Sequence, residues 1–500
     1  MSITGIGSNA ATSALLQQNM QNQLDVLSRQ LGTGQKAAVY SDLASQAGLT
    51  VGLDAQLSAI EGFDNTNSTV TTTLGIAEGT LTQIGDIQNS VQSAAMQSKA
   101  FALNASGQTT LQTNAAGQLD EILGALNTQV GDNYLFSGSA LNQKSVETAD
   151  HILNGNGVLA GLKQVISERN QADLGTGLGR LVIPPVVGST VSINEDVAGS
   201  PFGFKLASVS TTLGGATVTQ PAGAPKTATV TVGANPNNGD SIQFSLTLPD
   251  GTSQNISLQA TSAVTPGVNQ FAIGATTAAT AANLQAALTT AVGNLAQTTL
   301  PAASAVAAAN NFFSSNPPQR VAGPPFNSAT ALQNGTTANT VFWYTGESGA
   351  TPARQTAIAQ VGPTTTISYG LRANEQAFST LVANVAVLAA TSYAPANPNG
   401  AASYAALTSR VSSNLSIQQG AQNISDVDAD IANAQVTAKN AQTVNQQTKS
   451  TLTDFLQKIE GVSTTQIGAQ ILSLQTNLQA SLSTTARLSQ LSLVNYLGAA

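Results

Sequence analysis

Apolar side chains recur every three or four residues over long stretches near both ends of the chain. These stretches are 16–31, 70–91, 111–126, 424–441 and 467–482. Such spacing places the apolar side chains on one face of an α-helix. It is also close to the 3.5-residue repeat of helices that pack on other helices. We therefore predict long helices at both ends, each with one face that needs a partner.

Glycine and proline positions divide this helical pattern. Breaks at Asn104–Gly107, at Gly32-Thr33-Gly34 and at Gly461 predict joints between helices. All 17 prolines lie between Pro184 and Pro398. Because proline inside a helix costs about 3 kcal/mol, the proline-free ends permit long helices.

The middle of the chain has a different pattern. Alternating apolar residues over 242–248 and 256–260, joined by Pro249-Asp250-Gly251, predict a β-hairpin. A strand at Val230 and Val232 should precede it. Further elements are predicted here: a helix over Thr280–Ala296, strands at Val341–Tyr344 and Ile367–Tyr369, and a helix over Asn374–Ala390.

These patterns predict an α+β multidomain fold. The long N- and C-terminal helices should pair into a coiled-coil or helical-bundle rod, since their apolar stripes have no obvious partner except each other. An α+β, β-rich outer region is inserted between them. We assign residues 1–183 to an N-terminal helical assembly domain, 184–395 to the inserted outer domain or domains, and 396–500 to a C-terminal helical assembly domain.

Charge is scarce. Charged residues make up 8% of the chain, against about 25% in ordinary proteins, while apolar residues make up 41%. Amides and hydroxyls cost much less to bury than unpaired charges, so this composition suggests surfaces that become buried later. The net charge of −8 argues against nucleic-acid binding, which needs basic patches. No apolar run approaches the roughly 20 residues that span a bilayer, so no membrane insertion is expected.

Candidate catalytic and metal sites are weak. The chain has no cysteine and one histidine, His151, which we expect on the surface in a loop, without the positioned partner that acid–base catalysis needs. The acidic segment 426–430 superficially resembles a calcium loop, but Ile431 and Thr437 stand where glycine and glutamate are required. The glycine-rich segment 175–179 lacks the strand-to-helix setting of a phosphate loop. We therefore expect no enzyme activity, no cofactor and no metal.

Several passages at the two ends resemble the bacterial flagellin superfamily, which includes filament subunits and hook–filament junction proteins. They are SRQLGTGQK at 28–36, NYLFSG at 133–138, IEGV at 459–462, LQTNLQAS at 474–481 and RLSQLSLVNYL at 487–497. The NYLFSG passage and the C-terminal ending are more typical of junction proteins. The chain departs from the family pattern at YSDLA, residues 40–44.

Three passages in the middle resemble an insertion found in some flagellin-like proteins. They are FGFK at 202–205, VFWYTG at 341–346 and YGLRANE at 369–375.

The resemblance implies a secreted structural subunit that self-assembles through its terminal helices into the flagellar filament used for swimming. It implies export through the flagellar type III apparatus without a cleaved signal peptide, and an extracellular location. Implied partners are further copies of the chain, hook-associated or cap proteins, and an export chaperone. The subunit-assembly seam is expected at Leu16, Met20, Leu24, Leu27, Leu31, Ile467, Ile471, Leu474, Leu478, Leu482, Leu488 and Leu491.

Two alternatives stay open. The first is a hook–filament junction, or hook-associated, protein. The remoter one is an extracellular binding module carried on the insertion, where Glu347, Arg354, Arg372 and Glu375 are the main charged residues. We interpret these four as structural ion pairs.

Overall fold

The computed structural model describes the backbone of residues 4–98 and 100–497, and their side chains except 4–10, 44, 488–489 and 491–497. The predicted seam residues Leu488 and Leu491 thus lie outside the described side chains. The helices within this part of the chain are α1 (Thr4–Thr33), α2 (Ala47–Gln97), α3 (Thr110–Leu126), α4 (Ala149–Asn154), α5 (Leu162–Leu174), α6 (Thr277–Ser314), α7 (Gln376–Ala390), α8 (Gly400–Asn414), α9 (Ile424–Glu460) and α10 (Thr464–Leu497).

The strands of the same part are β1 (Gln129–Val130), β2 (Asn133–Tyr134), β3 (Leu181–Val182), β4 (Thr190–Glu195), β5 (Lys205–Thr211), β6 (Ala216–Ala222), β7 (Thr227–Val232), β8 (Ser241–Thr247), β9 (Ser253–Thr261), β10 (Gln270–Ala272), β11 (Gln319–Val321), β12 (Leu332–Asn334), β13 (Ile358–Gln360) and β14 (Thr366–Ser368). Long helices at both ends flank a β-containing middle, so the α+β prediction is confirmed.

The described chain forms two compact units. Unit 1 takes the residues up to 71, residues 359–367, and the residues from 436 onward. Unit 2 takes 72–358 and 368–435. The domain assignment 1–183, 184–395 and 396–500 stays a prediction.

Unit 1 is built from helices and one hairpin. Helix α1 lies against α10. On α2 and α9 in this unit, the predicted stripe residues Val70, Ala438 and Ala441 are at most 8% exposed. Ile60, Leu452 and Leu456, which lie outside the predicted stripes, are equally buried.

Unit 2 is built around two four-stranded sheets and the helix α6. One sheet has the strand order β3-β4-β7-β6 and the other β10-β9-β8-β5. Along β4, β7 and β8 every second side chain is buried. The first half of α6 covers the resulting core with Leu284, Leu288 and Val292, none of which is exposed.

The predicted hairpin is confirmed: β8 pairs antiparallel with β9, with Phe244 opposite Ile256. The strand at Val230 and Val232 is confirmed as part of β7, and the helix predicted from Asn374 is confirmed as α7. The strand predicted over Val341–Tyr344 is wrong. This segment is extended but makes only single bridges, Thr340 with Ala160 and Tyr344 with Val146.

The helix predicted over Thr280–Ala296 is too short, because α6 continues through Pro301 to Ser314. A proline cannot donate to the carbonyl four residues earlier, which here belongs to Gln297. The hydroxyl of Ser403, on α8, donates to that carbonyl at 3.2 Å. Ser403 is 4% exposed, and its hydroxyl supplies a partly buried hydrogen bond where Pro301 cannot donate one.

Candidate assembly surface

The two terminal helices run antiparallel. The side chain of Gln17 donates to the Thr485 hydroxyl at 3.4 Å, and at the other end the Val462 amide donates to the Gly34 carbonyl at 3.0 Å. The less exposed positions of each helix follow a repeat of three and four residues: Ser13, Gln17, Met20, Leu24 and Leu27 on α1, and Ile467, Ile471, Leu474, Leu478, Ser481 and Thr485 on α10.

Seven predicted seam residues lie on these less exposed faces: Met20, Leu24, Leu27, Ile467, Ile471, Leu474 and Leu478. Three others lie outside them, since Leu16 is 56%, Leu31 is 41% and Leu482 is 49% exposed. Polar residues continue the face instead, among them Gln17 and Thr485. Continuing the three-and-four spacing beyond the leucines would have found them. The assembly role assigned to the seam residues stays a prediction.

A groove of about 720 Å³ lies between α1 and α10. Its floor includes Val26, Leu27 and Leu474, and its walls are mostly carboxamides. The carboxamide side chains lining it are Asn19, Asn22, Gln23, Gln30, Gln470 and Asn477. No charged residue lines this groove, so its polar groups can be buried at the cost of amides rather than of ions.

Exposed apolar side chains concentrate in unit 1. More than half of the large apolar side chains that the structure shows exposed belong to this unit, although it holds less than a third of the chain. Leu472 is 67% exposed and Leu15 is 62% exposed. Charge is nearly absent beside them, because α1 and α10 carry only Asp25, Arg29 and Arg487. An apolar patch of this kind marks an interaction surface more often than a solvated one.

The passages SRQLGTGQK and IEGV, far apart in sequence, meet at the joints of unit 1. Helix α1 ends at Thr33, and Gly34 adopts a φ of +71°, a conformation that favours glycine. Gln35 and Gly461 then form an antiparallel bridge, and the Lys36 amide donates to the Glu460 carbonyl at 2.6 Å. The turn after α1 is thus fastened to the turn before α10.

Within unit 2, the NYLFSG passage makes backbone contacts with two of the middle passages. Ser137 bridges Arg372 of the YGLRANE passage, and the Glu347 amide, next to the VFWYTG passage, donates to the Ser137 carbonyl at 2.9 Å. Gly138 has a φ of +67°, and a side chain there would lie 2.8 Å from a Glu347 carboxylate oxygen. Phe136 is fully buried and stacks edge-on against Phe378 at 5.5 Å.

The model of the bacterial flagellin N-terminal helical region matches residues 6–140. This range contains α1, α2, α3 and the NYLFSG passage. This match supports membership of the bacterial flagellin superfamily. No curated protein matches the chain significantly.

The match supports a structural role of the kind that the flagellin family has. The family is structural rather than enzymatic, and it implies self-assembly into a polymer and the extracellular flagellar filament. Among the described residues, no helix is both long enough and apolar enough to cross a membrane.

The candidate chemical residues of this flagellin-family member have structural surroundings. His151 lies in the short helix α4 rather than in the predicted loop, and its Nδ1 is 3.0 Å from Glu147. Asp428 lies on α9, as the helical interpretation of its acidic segment predicted. Burial, and then the nearby Glu78 carboxylate, raise the pKa of Asp428. Across residues 4–98 and 100–497, no three histidine or acidic side chains are grouped to hold a metal ion.

The four charged residues near the aromatic segment form the predicted ion pairs. Arg354 lies 2.8 Å from Glu375, and Arg372 lies 2.7 Å from Glu347. The pKa of the Glu347 carboxyl is lowered mainly by the hydrogen bond from the Ser139 backbone N–H. The paired Arg372 lowers it further. These pairs fasten turns of unit 2 together.

Proposed function

We propose that this protein is a filament subunit, a secreted flagellin that self-assembles through its terminal helices into the helical filament used for swimming. The observation that carries the proposal is the pair α1 and α10, whose apolar side chains lie exposed among amides and almost no charges. A solvated helix of this kind stays soluble as a monomer and loses little when another copy covers it.

The size of the chain outside the terminal helices favours a filament subunit over other axial positions. Unit 2 holds most of the residues, which is enough for an outer domain on a polymer surface. Export through the flagellar type III apparatus without a cleaved signal, an export chaperone, and contacts with hook-associated or cap proteins belong to the same proposal.

Deletion of residues 478–500 tests the assembly part. It removes the last turns of α10, so polymerisation should be abolished while the two sheets of unit 2 stay folded. Electron microscopy after seeding gives the first readout, and the circular dichroism of the strands gives the second. Filaments of normal yield from the truncated chain would contradict assembly through α10.

The second candidate is a hook–filament junction protein. It is favoured by NYLFSG at 133–138 and by the RLSQLSLVNYL ending at 487–497, both typical of that group. Copy number separates the two. A subunit that dominates the mass of sheared filaments is a filament flagellin, whereas one found only in trace at the proximal end is a junction protein.

A further inference from the structure

Two asparagines occupy the apolar seam between α2 and α9 in unit 1. Asn67 is fully buried, seven residues after Ile60 and three before Val70. Asn445 is 2% exposed and lies midway between Ala438 and Leu452, seven residues from each. Both positions follow the repeat that apolar side chains mostly fill. Thr50 of α2 is also fully buried, but its hydroxyl donates locally to the Gln46 carbonyl.

A backbone carbonyl joins the two asparagines. Residues 359–367 form a hairpin in unit 1, closed by the Val361 amide, which donates to the Thr365 carbonyl at 2.9 Å. Val361 is fully buried. The Asn445 amide donates to the Val361 carbonyl at 2.9 Å, and the Asn67 amide donates to the same carbonyl at 3.3 Å.

The Asn67 carboxamide also reaches α9 itself. With its oxygen and nitrogen exchanged, it accepts from the Gln442 amide and donates to the Ala438 carbonyl, both at 3.2 Å. In this orientation Asn67 binds α9 directly, and in the other it donates to the hairpin carbonyl that Asn445 of α9 also binds. Asn67 and Asn445 therefore form a buried polar layer in the seam, and their hydrogen bonds are made at one axial position.

Apolar seams with a seven-residue repeat can slide by whole heptads, because each slip brings apolar residues together again. A buried asparagine in such a seam fixes the register, because a slipped arrangement leaves its amide unpaired. We infer that Asn67 and Asn445 are positioning residues that fix the register of α2 against α9. Asn445 acts through the Val361 carbonyl, and Asn67 acts through that carbonyl or through the α9 backbone at Ala438 and Gln442.

This register matters for assembly, a consequence that rests on the proposed function. One heptad of slip moves a helix by about 10 Å along its partner. The exposed Val444 and Phe455 of α9 would then shift against the exposed Leu49 of α2. Any polymer contact that uses both helices needs one register in every copy.

Cross-linking of the full-length monomer tests the inference. The chain contains no cysteine, and Glu61 on α2 lies 3.0 Å from Lys449 on α9. The pair Glu61→Cys and Lys449→Cys, with a short bismaleimide, therefore reports the native register. The pair Glu61→Cys and Gln442→Cys reports a slip of one heptad.

In the otherwise native chain we expect the 61–449 product and little 61–442 product. Adding Asn67→Leu and Asn445→Leu should remove most of the 61–449 product while the helical circular dichroism persists. Asn65→Leu and Asn440→Leu are matched controls, because both asparagines are exposed on the same helices. A folded double variant that keeps the native 61–449 yield overturns the inference.

If the double variant does not fold, the single variant Asn445→Ala tests the inference by hydrogen exchange. Losing its hydrogen bond should speed hydrogen exchange at the Val361 amide roughly tenfold, as expected for a contribution of about 1.4 kcal/mol. Asn440→Ala should leave that exchange unchanged, and equal exchange in both variants overturns the inference. Both readouts use the monomer, so a chain that forms no filament would contradict the proposed function without affecting this result.

Discussion

Leu472→Asp places a charge on the outward face of α10, where the native side chain is 67% exposed. In the monomer this is a surface substitution, and such changes usually alter the free energy of unfolding by less than about 0.5 kcal/mol. In a polymer that covers this face the cost is larger. Burying a whole leucine contributes roughly 1.5–3 kcal/mol, and two thirds of this side chain would be buried only on assembly. The variant therefore loses about 1–2 kcal/mol of assembly free energy.

The charge adds a second cost. An aspartate buried without a partner must take up a proton, and from an ordinary pKa near 3.9 this costs about 4 kcal/mol at pH 7. The two costs together raise the critical concentration for polymerisation by roughly four orders of magnitude. Leu472→Gln incurs only the first cost, the lost burial of leucine, and should raise the critical concentration about tenfold.

Seeded growth on sheared filaments measures the critical concentration, and circular dichroism measures the helical content of the monomer. The matched variant is Leu474→Asp, because Leu474 is half-buried on the face toward α1. That variant should lose helical signal as a monomer, whereas Leu472→Asp should keep it. Growth of Leu472→Asp at the native critical concentration would refute the argument, since the face would then remain in water in the polymer.

Two further predictions concern unit 2. Ser403→Ala should lower the free energy of unfolding by about 1 kcal/mol, since the Gln297 carbonyl loses this donor. With Pro301→Ala the helix itself supplies an N–H, so a urea double-mutant cycle should show a smaller cost for Ser403→Ala. Equal costs in both backgrounds would contradict this. The Ser139 N–H lowers the pKa of Glu347, so the stability that Glu347 contributes is complete above its unfolded pKa and is lost as the pH falls through the folded value. Glu347→Gln should flatten the fall in unfolding free energy below about pH 4.3, and an unchanged acid profile would refute it.

The elements that the sequence predicts well are those with a long unbroken period. The stripe from Val70 to Val91 predicts a helix, and each of its predicted members is at most 8% exposed. The hairpin of β8 and β9 follows from two alternating runs around a strong turn. In both cases the pattern is local, because the side chains on one face of a helix or strand are buried against the same core.

The elements that the sequence misses depend on distant partners. Helix α6 passes Pro301 because Ser403, about a hundred residues later, supplies the missing hydrogen bond. In the sequence, Asn67 and Asn445 look like any polar residue that interrupts an apolar stripe. Their role depends on the Val361 carbonyl, which lies far from both in sequence. Leu16 fits a helical stripe, yet it is 56% exposed, since the face toward α10 is continued by polar residues.

Charge is used differently in unit 2 and in the terminal helices α1 and α10. Several charges of unit 2 form buried pairs, such as Arg169–Asp173 at 2.8 Å and Arg410–Asp250 at 2.6 Å. Such pairs need fixed partners within the same chain, and removing one partner is costly. The helices α1 and α10 rely on amides, which water or a neighbouring copy can satisfy equally. A surface that must be wet before assembly and dry after it needs groups whose burial costs little in both settings. The scarcity of charge at the chain ends is therefore what the proposed assembly through those ends would favour.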